Sequence, residues 1–265
     1  MFKIITWNIN SVRLRQGLVE KLLMSEEPDV LCLQETKCPD DKFPLNAFKK
    51  LGYEHIAKFG QKGYHGVATL SRHPIENSFS RDFCSIGDAR HIAVDIDAGQ
   101  AMRIHNFYVP AGGDEPDPKT NPKFDHKLKF IGEMKDWIGG EESQRPAVLV
   151  GDLNIAPYET DVWSHKQLLK VVSHTPIETE GLEDIRSSGN WIDTTRHLIP
   201  EPEPLFSWWS YRSPNWEASN RGRRLDHIWA TSDLEPAIAG ARIMKHVRGW
   251  ERPSDHAPVV TEFHF

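Results

Sequence analysis

Cysteine is scarce: the 265 residues hold three, Cys32, Cys38 and Cys84, at irregular spacings. That excludes a disulfide framework or a cysteine-based zinc cluster and fits a reducing compartment. No apolar run approaches the roughly 18 residues that a membrane span needs, and mean hydropathy is −0.53. The opening segment MFKIITWNIN has no basic stretch followed by an apolar core and a small-residue cleavage site, so no secretory signal is expected. A cytoplasmic protein with no membrane partner is the expectation. Repeats of fixed period and low-complexity tracts are also missing. Positive charge is short as well: 32 Lys and Arg against 38 Asp and Glu leave −6. This excludes a binder held to nucleic acid by overall charge.

What is present points to a folded enzyme. Hydrophobic residues make up 38% and charged residues 26%, with 12 Phe, 9 Trp and 5 Tyr, a globular mixture. One domain over residues 1–265 suits this length. Short apolar runs bounded by Gly, Pro or Asp predict strands at Phe2–Trp7, Asp29–Leu33, His65–Ser71, His91–Ile96, Arg103–Val109, Ala147–Gly151, Arg224–Ala230 and Ala257–Phe263. Helical spacing appears in Leu14, Leu18, Leu22 and Leu23, with Ser11 as the expected cap, and again in Phe124, Leu128, Ile131 and Ile138. Ala111–Pro122 and Pro200–Pro204 read as surface loops. Strands spread from end to end predict two sheets packed face to face with helices outside. Charge is uneven too: Arg212 to Arg252 holds eight Lys and Arg against five Asp and Glu, so a basic face on an acidic protein is possible.

Polar residues gather where these strands end. Asn8 and Asn10 follow the first, Glu35 and Thr36 the second, Tyr108 the fifth, and Asp152 and Asn154 the sixth. Asp226-His227 and Asp255-His256 lie near the C-terminus. Singly, each has a plainer reading, since an Asn or Asp after a strand is commonly a turn former. Together, Asn8, Glu35, Asp152, Asn154 and Asp255 offer oxygen ligands and no thiolate, which suits Mg2+ or Mn2+ rather than zinc. A magnesium ion keeps room for a phosphate oxygen, so phosphate-ester chemistry is expected.

The flanking residues sharpen this. Thr6-Trp7-Asn8-Ile9-Asn10, Leu33-Gln34-Glu35-Thr36-Lys37, Gly151-Asp152-Leu153-Asn154, Arg224-Leu225-Asp226 and Pro253-Ser254-Asp255-His256-Ala257-Pro258 stand in order along the chain. With Gln61 to Ala68 and Phe206-Ser207-Trp208, they resemble the exonuclease III family of AP endonucleases, nearly end to end. The resemblance implies an α/β fold: a four-layer α/β sandwich, two mixed β-sheets packed face to face and flanked by helices. It implies a metal-dependent hydrolysis of DNA phosphodiesters by an activated water. The substrate would be duplex DNA with abasic sites or blocked or recessed 3′ ends, and the enzyme a bacterial monomer using Mg2+ or Mn2+.

Carried over, Glu35, Asn8 and Asp255 would hold the metal. Asp152, with Asn154 beside it, would orient or deprotonate the water. His256, held by Asp226, would contact the scissile phosphate, and Tyr108 the phosphate or the leaving oxygen. Lys62, Tyr64, Trp208, Arg212, Arg221, Arg223 and Arg224 would contact DNA. Two positions depart from the family pattern. Ala111 stands where an Asn or Gln able to hydrogen-bond a phosphate is usual, and Arg223 stands where a bulky apolar side chain against the sugar is usual; together they imply a looser grip on an abasic site. The acidic loop Asp114-Glu115-Pro116-Asp117 would repel a phosphate backbone facing it. Two other readings remain open at this level. One is a phosphodiesterase or phosphatase of the same fold acting on a non-DNA ester, against which the Arg221–Arg224 segment and the Lys62–Val67 loop argue. The other is a catalytically silent DNA-binding protein, which would have no need of so complete an acidic cluster.

Overall fold

Strand alternation explains the layers. In β1 (Phe2–Asn8), Ile4 and Ile5 face opposite ways, as successive strand residues must. Ile4 joins Val30, Ile104 and Val148 in a core shared by two sheets, whereas Ile5 joins Val19, Leu22 and Leu31 in a second core outside. A strand buried on both faces therefore reads as an unbroken apolar run.

The computed structural model describes residues 1–265 and contains fourteen strands. After β1 come β2 (Val30–Gln34), β3 (His55–Phe59), β4 (Val67–Ser71), β5 (Ile75–Phe79), β6 (His91–Asp97), β7 (Ala101–Tyr108) and β8 (Ala147–Asp152). The rest are β9 (Ile192–Asp193), β10 (Trp208–Trp209), β11 (Gly222–Arg223), β12 (Asp226–Ala230), β13 (Ile238–Ile243) and β14 (Val259–Phe263). One sheet runs β13-β14-β1-β2-β4-β3 and the other β5-β6-β7-β8-β12-β9, with β10 and β11 forming a small ribbon. The helix Gln16–Glu26 packs Val19, Leu22 and Leu23 on the first sheet. The helices Pro122–Ile138 and Pro176–Ser188 pack Phe130, Ile131, Leu182 and Ile185 on the second. The result is the four-layer α/β sandwich that the resemblance implied.

This topology positions a site. Each sheet has one parallel pair at its middle, β1 with β2 and β7 with β8. The C-terminal ends of all four strands thus meet at one edge, and the antiparallel neighbours β14 and β12 begin there. Asp226 lies opposite Asp152, and Tyr108 opposite the same aspartate. Gly151 makes this possible: at φ +144° a Cβ would run into the Phe107 carbonyl oxygen of the adjacent strand.

Six strands were not legible as strands: β3, β5 and β13, and the two-residue β9, β10 and β11, too short to carry a pattern. The first three are edge strands, half-exposed and carrying Lys58, Glu76, Asn77 and Arg242, the polar side chains that keep an edge from pairing with another chain. The Ser11 cap is also corrected. The helix starts at Gln16 behind Arg15, with no side-chain cap bond, and Leu14 is exposed. The amides of Ser11 and Val12 are instead tied to the carbonyls of Glu35 and Thr36 at 2.7 and 3.1 Å, which holds this segment against the loop after β2. No helix is long and apolar enough to cross a membrane.

Candidate active site

Four carboxylates, an imidazole, a phenol and three amides meet at the shared strand edge. Asn8 is the last residue of β1; its Nδ2 donates to Glu35 Oε1 at 3.0 Å and to Asp152 Oδ2 at 2.8 Å. Glu35 follows β2 in left-handed backbone (φ 50°), which turns its carboxylate back over the edge. It accepts from the Tyr108 hydroxyl at 2.8 Å and pairs with Lys37 Nζ at 2.7 Å. Lys37 also donates to Asn10 Oδ1 at 2.7 Å, and Asn10 Nδ2 donates to Asp255 Oδ1 at 3.1 Å. One polar chain therefore joins Glu35 to Asp255, whose other oxygen accepts from Trp208 Nε1 at 3.0 Å.

Across the sheets, His256 Nδ1 donates to Asp226 Oδ2 at 2.8 Å. The same oxygen accepts from Ser207 Oγ at 2.6 Å. His256 Nε2 lies 3.8 Å from Asp152 Oδ2. Asp152 is oriented by the Asn154 amide at 3.0 Å and its Nδ2 at 3.2 Å. Asn154 also takes left-handed backbone (φ 54°). Its carbonyl accepts from Lys127 Nζ at 2.8 Å, and Lys127 is itself paired with Glu178 at 2.5 Å in full burial.

These contacts set protonation. Burial opposes charge on the His256 ring, but Asp226 and then Asp152 more than restore it, and the ring is pushed up to about 10. Burial raises the Asp152 carboxyl, His256 opposes, Asp226 adds, and it rests at about 7. For Glu35, burial works against the charge, yet Lys37 and Asn8 hold it below the usual carboxylate range. Burial, then Glu35 and Asp152, keep Tyr108 well above the ordinary phenol value. Near neutral pH the site thus holds an imidazolium, a neutral phenol donor and a carboxylate balanced between its two forms.

The donor set fits a hard divalent cation. It offers carboxylates and amides but no thiolate; Asn8 sits on Glu35, which Lys37 and Asn10 join to Asp255; and Asp226 Oδ1 is buried without a partner. Such an ion, when bound, would offset charge growing on phosphate oxygens.

The structure brings Asn8, Glu35, Tyr108, Asp152, Asn154, Asp226, Asp255 and His256 into one connected network. Lys62 and Tyr64 lie on an exposed loop at the same edge, where Tyr64 leads into His65, whose ring faces Tyr108 at 6.3 Å. Trp208 is half-buried beside Asp255, while its neighbour Trp209 is core. Arg212 and Arg221 are exposed. Arg224 is a correction: it is buried, bonded to Asp161 and Asp193 at 2.8 and 2.7 Å, so its charge is spent inside and meets no DNA. Sequence reasoning gave no role to Lys37, Asn10, Ser207 and Lys127. Three of these stood inside or beside the motifs. Lys127 had its own signal, three residues after Phe124 and four before Ile131, a lysine on the apolar face of its helix.

A sandwich of two mixed sheets with an acid–imidazole centre on their common edge defines a class of phosphoesterases. The sequence profile of the Endonuclease/Exonuclease/phosphatase family matches residues 5–256, and the chain belongs to that family. Exodeoxyribonuclease III of Haemophilus influenzae is 32% identical over 272 residues, covering 98% of this chain and 99% of that protein. An AP endonuclease from Archaeoglobus fulgidus superposes with a TM-score of 0.92 at 31% identity, over 100% of both chains. The 3′ phosphatase NExo from Neisseria, bound to product DNA hairpin, does so with a TM-score of 0.91 at 31% identity, again over 100% of both.

Proposed function

We propose that this chain is a metal-dependent DNA repair nuclease. It hydrolyses phosphodiesters in duplex DNA at abasic sites and at blocked or recessed 3′ ends, as a cytoplasmic monomer. The observation that carries this is the Asp226–His256 pair facing Asp152: a permanent cation to hold a phosphate, 3.8 Å from a carboxyl poised near 7. The names of the relatives support DNA as the phosphate carrier.

The residues act as follows. His256 binds a non-bridging oxygen of the scissile phosphate, where negative charge grows. Asp152 takes the proton of the attacking water as its oxygen bonds to phosphorus; a base titrating near the working pH suits this step. The bond to the leaving sugar oxygen breaks, and that oxygen takes a proton from solvent water; the Tyr108 phenol supplies a hydrogen bond there. Glu35, Asn8 and Asp255 would hold the metal, Mg2+ by its fit to hard oxygen donors, with Mn2+ second. Lys62, Tyr64, Trp208, Arg212 and Arg221 grip the DNA backbone.

Two labelled duplexes test this, one with a central abasic analogue and one with a recessed 3′ end, each with Mg2+, with Mn2+ and with EDTA. Cleavage that needs metal and vanishes in Asp152→Asn is expected. Two intact duplexes under every metal condition would refute the assignment.

A further inference from the structure

The segment after β1 and the segment before β14 meet at one contact, Asn10 Nδ2 donating to Asp255 Oδ1 at 3.1 Å. Both reach it through unfavourable backbone. Asn10 (φ 48°), Ser11 (φ 87°) and Arg252 (φ 50°) are all left-handed. Residues with a Cβ resist that conformation, and it persists only where the surroundings over-determine it.

One buried side chain, Arg15, joins the two turns. Its Nη1 donates to the carbonyls of Asn10 and, at 3.4 Å, of Ile9, and its Nε donates to the Arg252 carbonyl at 3.1 Å. Its Nη2 donates to the Tyr211 hydroxyl at 2.8 Å, which donates onward to the Pro253 carbonyl at 2.8 Å. Asn10 and Arg252, left-handed residues of separate segments, therefore share one guanidinium. No carboxylate accepts from Arg15: every acceptor is a carbonyl or a hydroxyl. A buried charge with no opposite partner costs stability, so ion pairing does not explain the residue. Geometry does: a rigid planar fork of N–H donors reaches carbonyls of several segments at once, and an ammonium does not. Arg248 lies over the Tyr211 ring at 5.1 Å and donates to the Trp209 carbonyl at 3.3 Å. The Trp209 amide in turn donates to the Asp255 carbonyl at 3.0 Å, so the tyrosine is held on the same side as the aspartate.

We infer that Arg15 is a positioning residue: through the two turns and Tyr211 it sets Asn10 against Asp255 and so fixes the metal side of the centre. It acts through backbone and touches no metal-ligand side chain. Its effect on metal binding rests on the reading of Asp255 as a ligand; its effect on the place of the Asp255 carboxylate does not.

Two readouts on the full chain, both without DNA or turnover, test this. The Trp208 indole N–H donates to Asp255 Oδ2 at 3.0 Å, so its NMR signal, assigned with Trp208→Phe, reports where that carboxylate lies. The EPR signal of free Mn2+ gives the metal affinity. Arg15→Met should shift the Trp208 signal, speed its hydrogen exchange and weaken Mn2+ binding about 10-fold. Mere removal of a nearby cation would tighten Mn2+ binding, so the sign separates position from charge. Arg15→Lys keeps the charge without the fork and should behave like Arg15→Met. Tyr211→Phe removes only the bridge to Pro253 and should change both readouts in the same direction by less. It carries the test if urea unfolding shows that Arg15→Met does not fold. An unchanged Trp208 signal in the folded variants overturns the proposal. So does Mn2+ binding as tight as that of the wild type or tighter, or wild-type behaviour of Arg15→Lys in both readouts. A wild type that binds no Mn2+, with the Trp208 signal still shifted in the variants, would refute the metal reading and keep the positioning role.

Discussion

Replacing Asp226 by Asn removes one charge and little else. The carboxylate sits 2.8 Å from His256 Nδ1 and keeps that ring protonated. At an effective dielectric of about 20, such a charge is worth about 6 kcal/mol before burial is subtracted. The net displacement of the ring to about 10 corresponds to about 5 kcal/mol at about 1.4 kcal/mol per unit. In Asp226→Asn the Ser207 hydroxyl still has an acceptor, but His256 loses its nearest anion and falls to a neutral ring at pH 8. Losing one charged donor at the phosphate should lower kcat by about 100-fold or more at that pH. At pH 5.5 the imidazole regains its proton from solvent, and the wild-type-to-variant ratio should shrink to about 10-fold or less. Stability follows the same sign. A ring whose folded value is raised stabilises fully below its unfolded value near 6.5, and that contribution is lost as pH rises toward 10. Single-turnover rates on an abasic duplex from pH 5.5 to 9, with urea unfolding at both ends, measure both effects. A ratio that stays constant across that range would refute the reasoning.

Two further outcomes follow from the packing. Lys127→Met should cost about 3–5 kcal/mol in urea unfolding because Glu178 is left buried and unpaired. The double variant Lys127→Met/Glu178→Gln, which removes the unpaired charge but keeps an acceptor for the Ser173 and Thr175 donors, should regain most of that stability but not kcat, since the Asn154 carbonyl still lacks its donor. Gly151→Ala should lose about 3 kcal/mol or more by the same assay. Its Cβ meets the Phe107 carbonyl, which separates β7 from β8 where Tyr108 and Asp152 must lie together; unchanged stability would contradict this.

Much of the fold was legible because central strands are buried on both faces, so β2 and β8 appear as apolar runs and β1 and β7 as largely apolar ones. The edge strands β3, β5 and β13 were not, because half-exposed backbone accepts Lys58, Glu76 or Arg242 and leaves no period to read. The site was legible in its motifs but not in its connections. Arg224 and Arg223 are neighbours in sequence and equally basic, yet the chain leaving β11 sends one inward to Asp161 and Asp193 and the other to the side of Trp208.

By itself the sequence determines which residue types are available: an oxygen-rich, thiolate-free donor set placed at strand ends, and a chain with no membrane helix. Those follow from local pattern and composition. Only the tertiary structure decides that two parallel strand pairs end at one edge, that Asp226 faces Asp152 across β8 and β12, and that His256 is charged. Protonation depends on distance and burial among residues 30 and 104 positions apart in the chain, and no local pattern contains those distances.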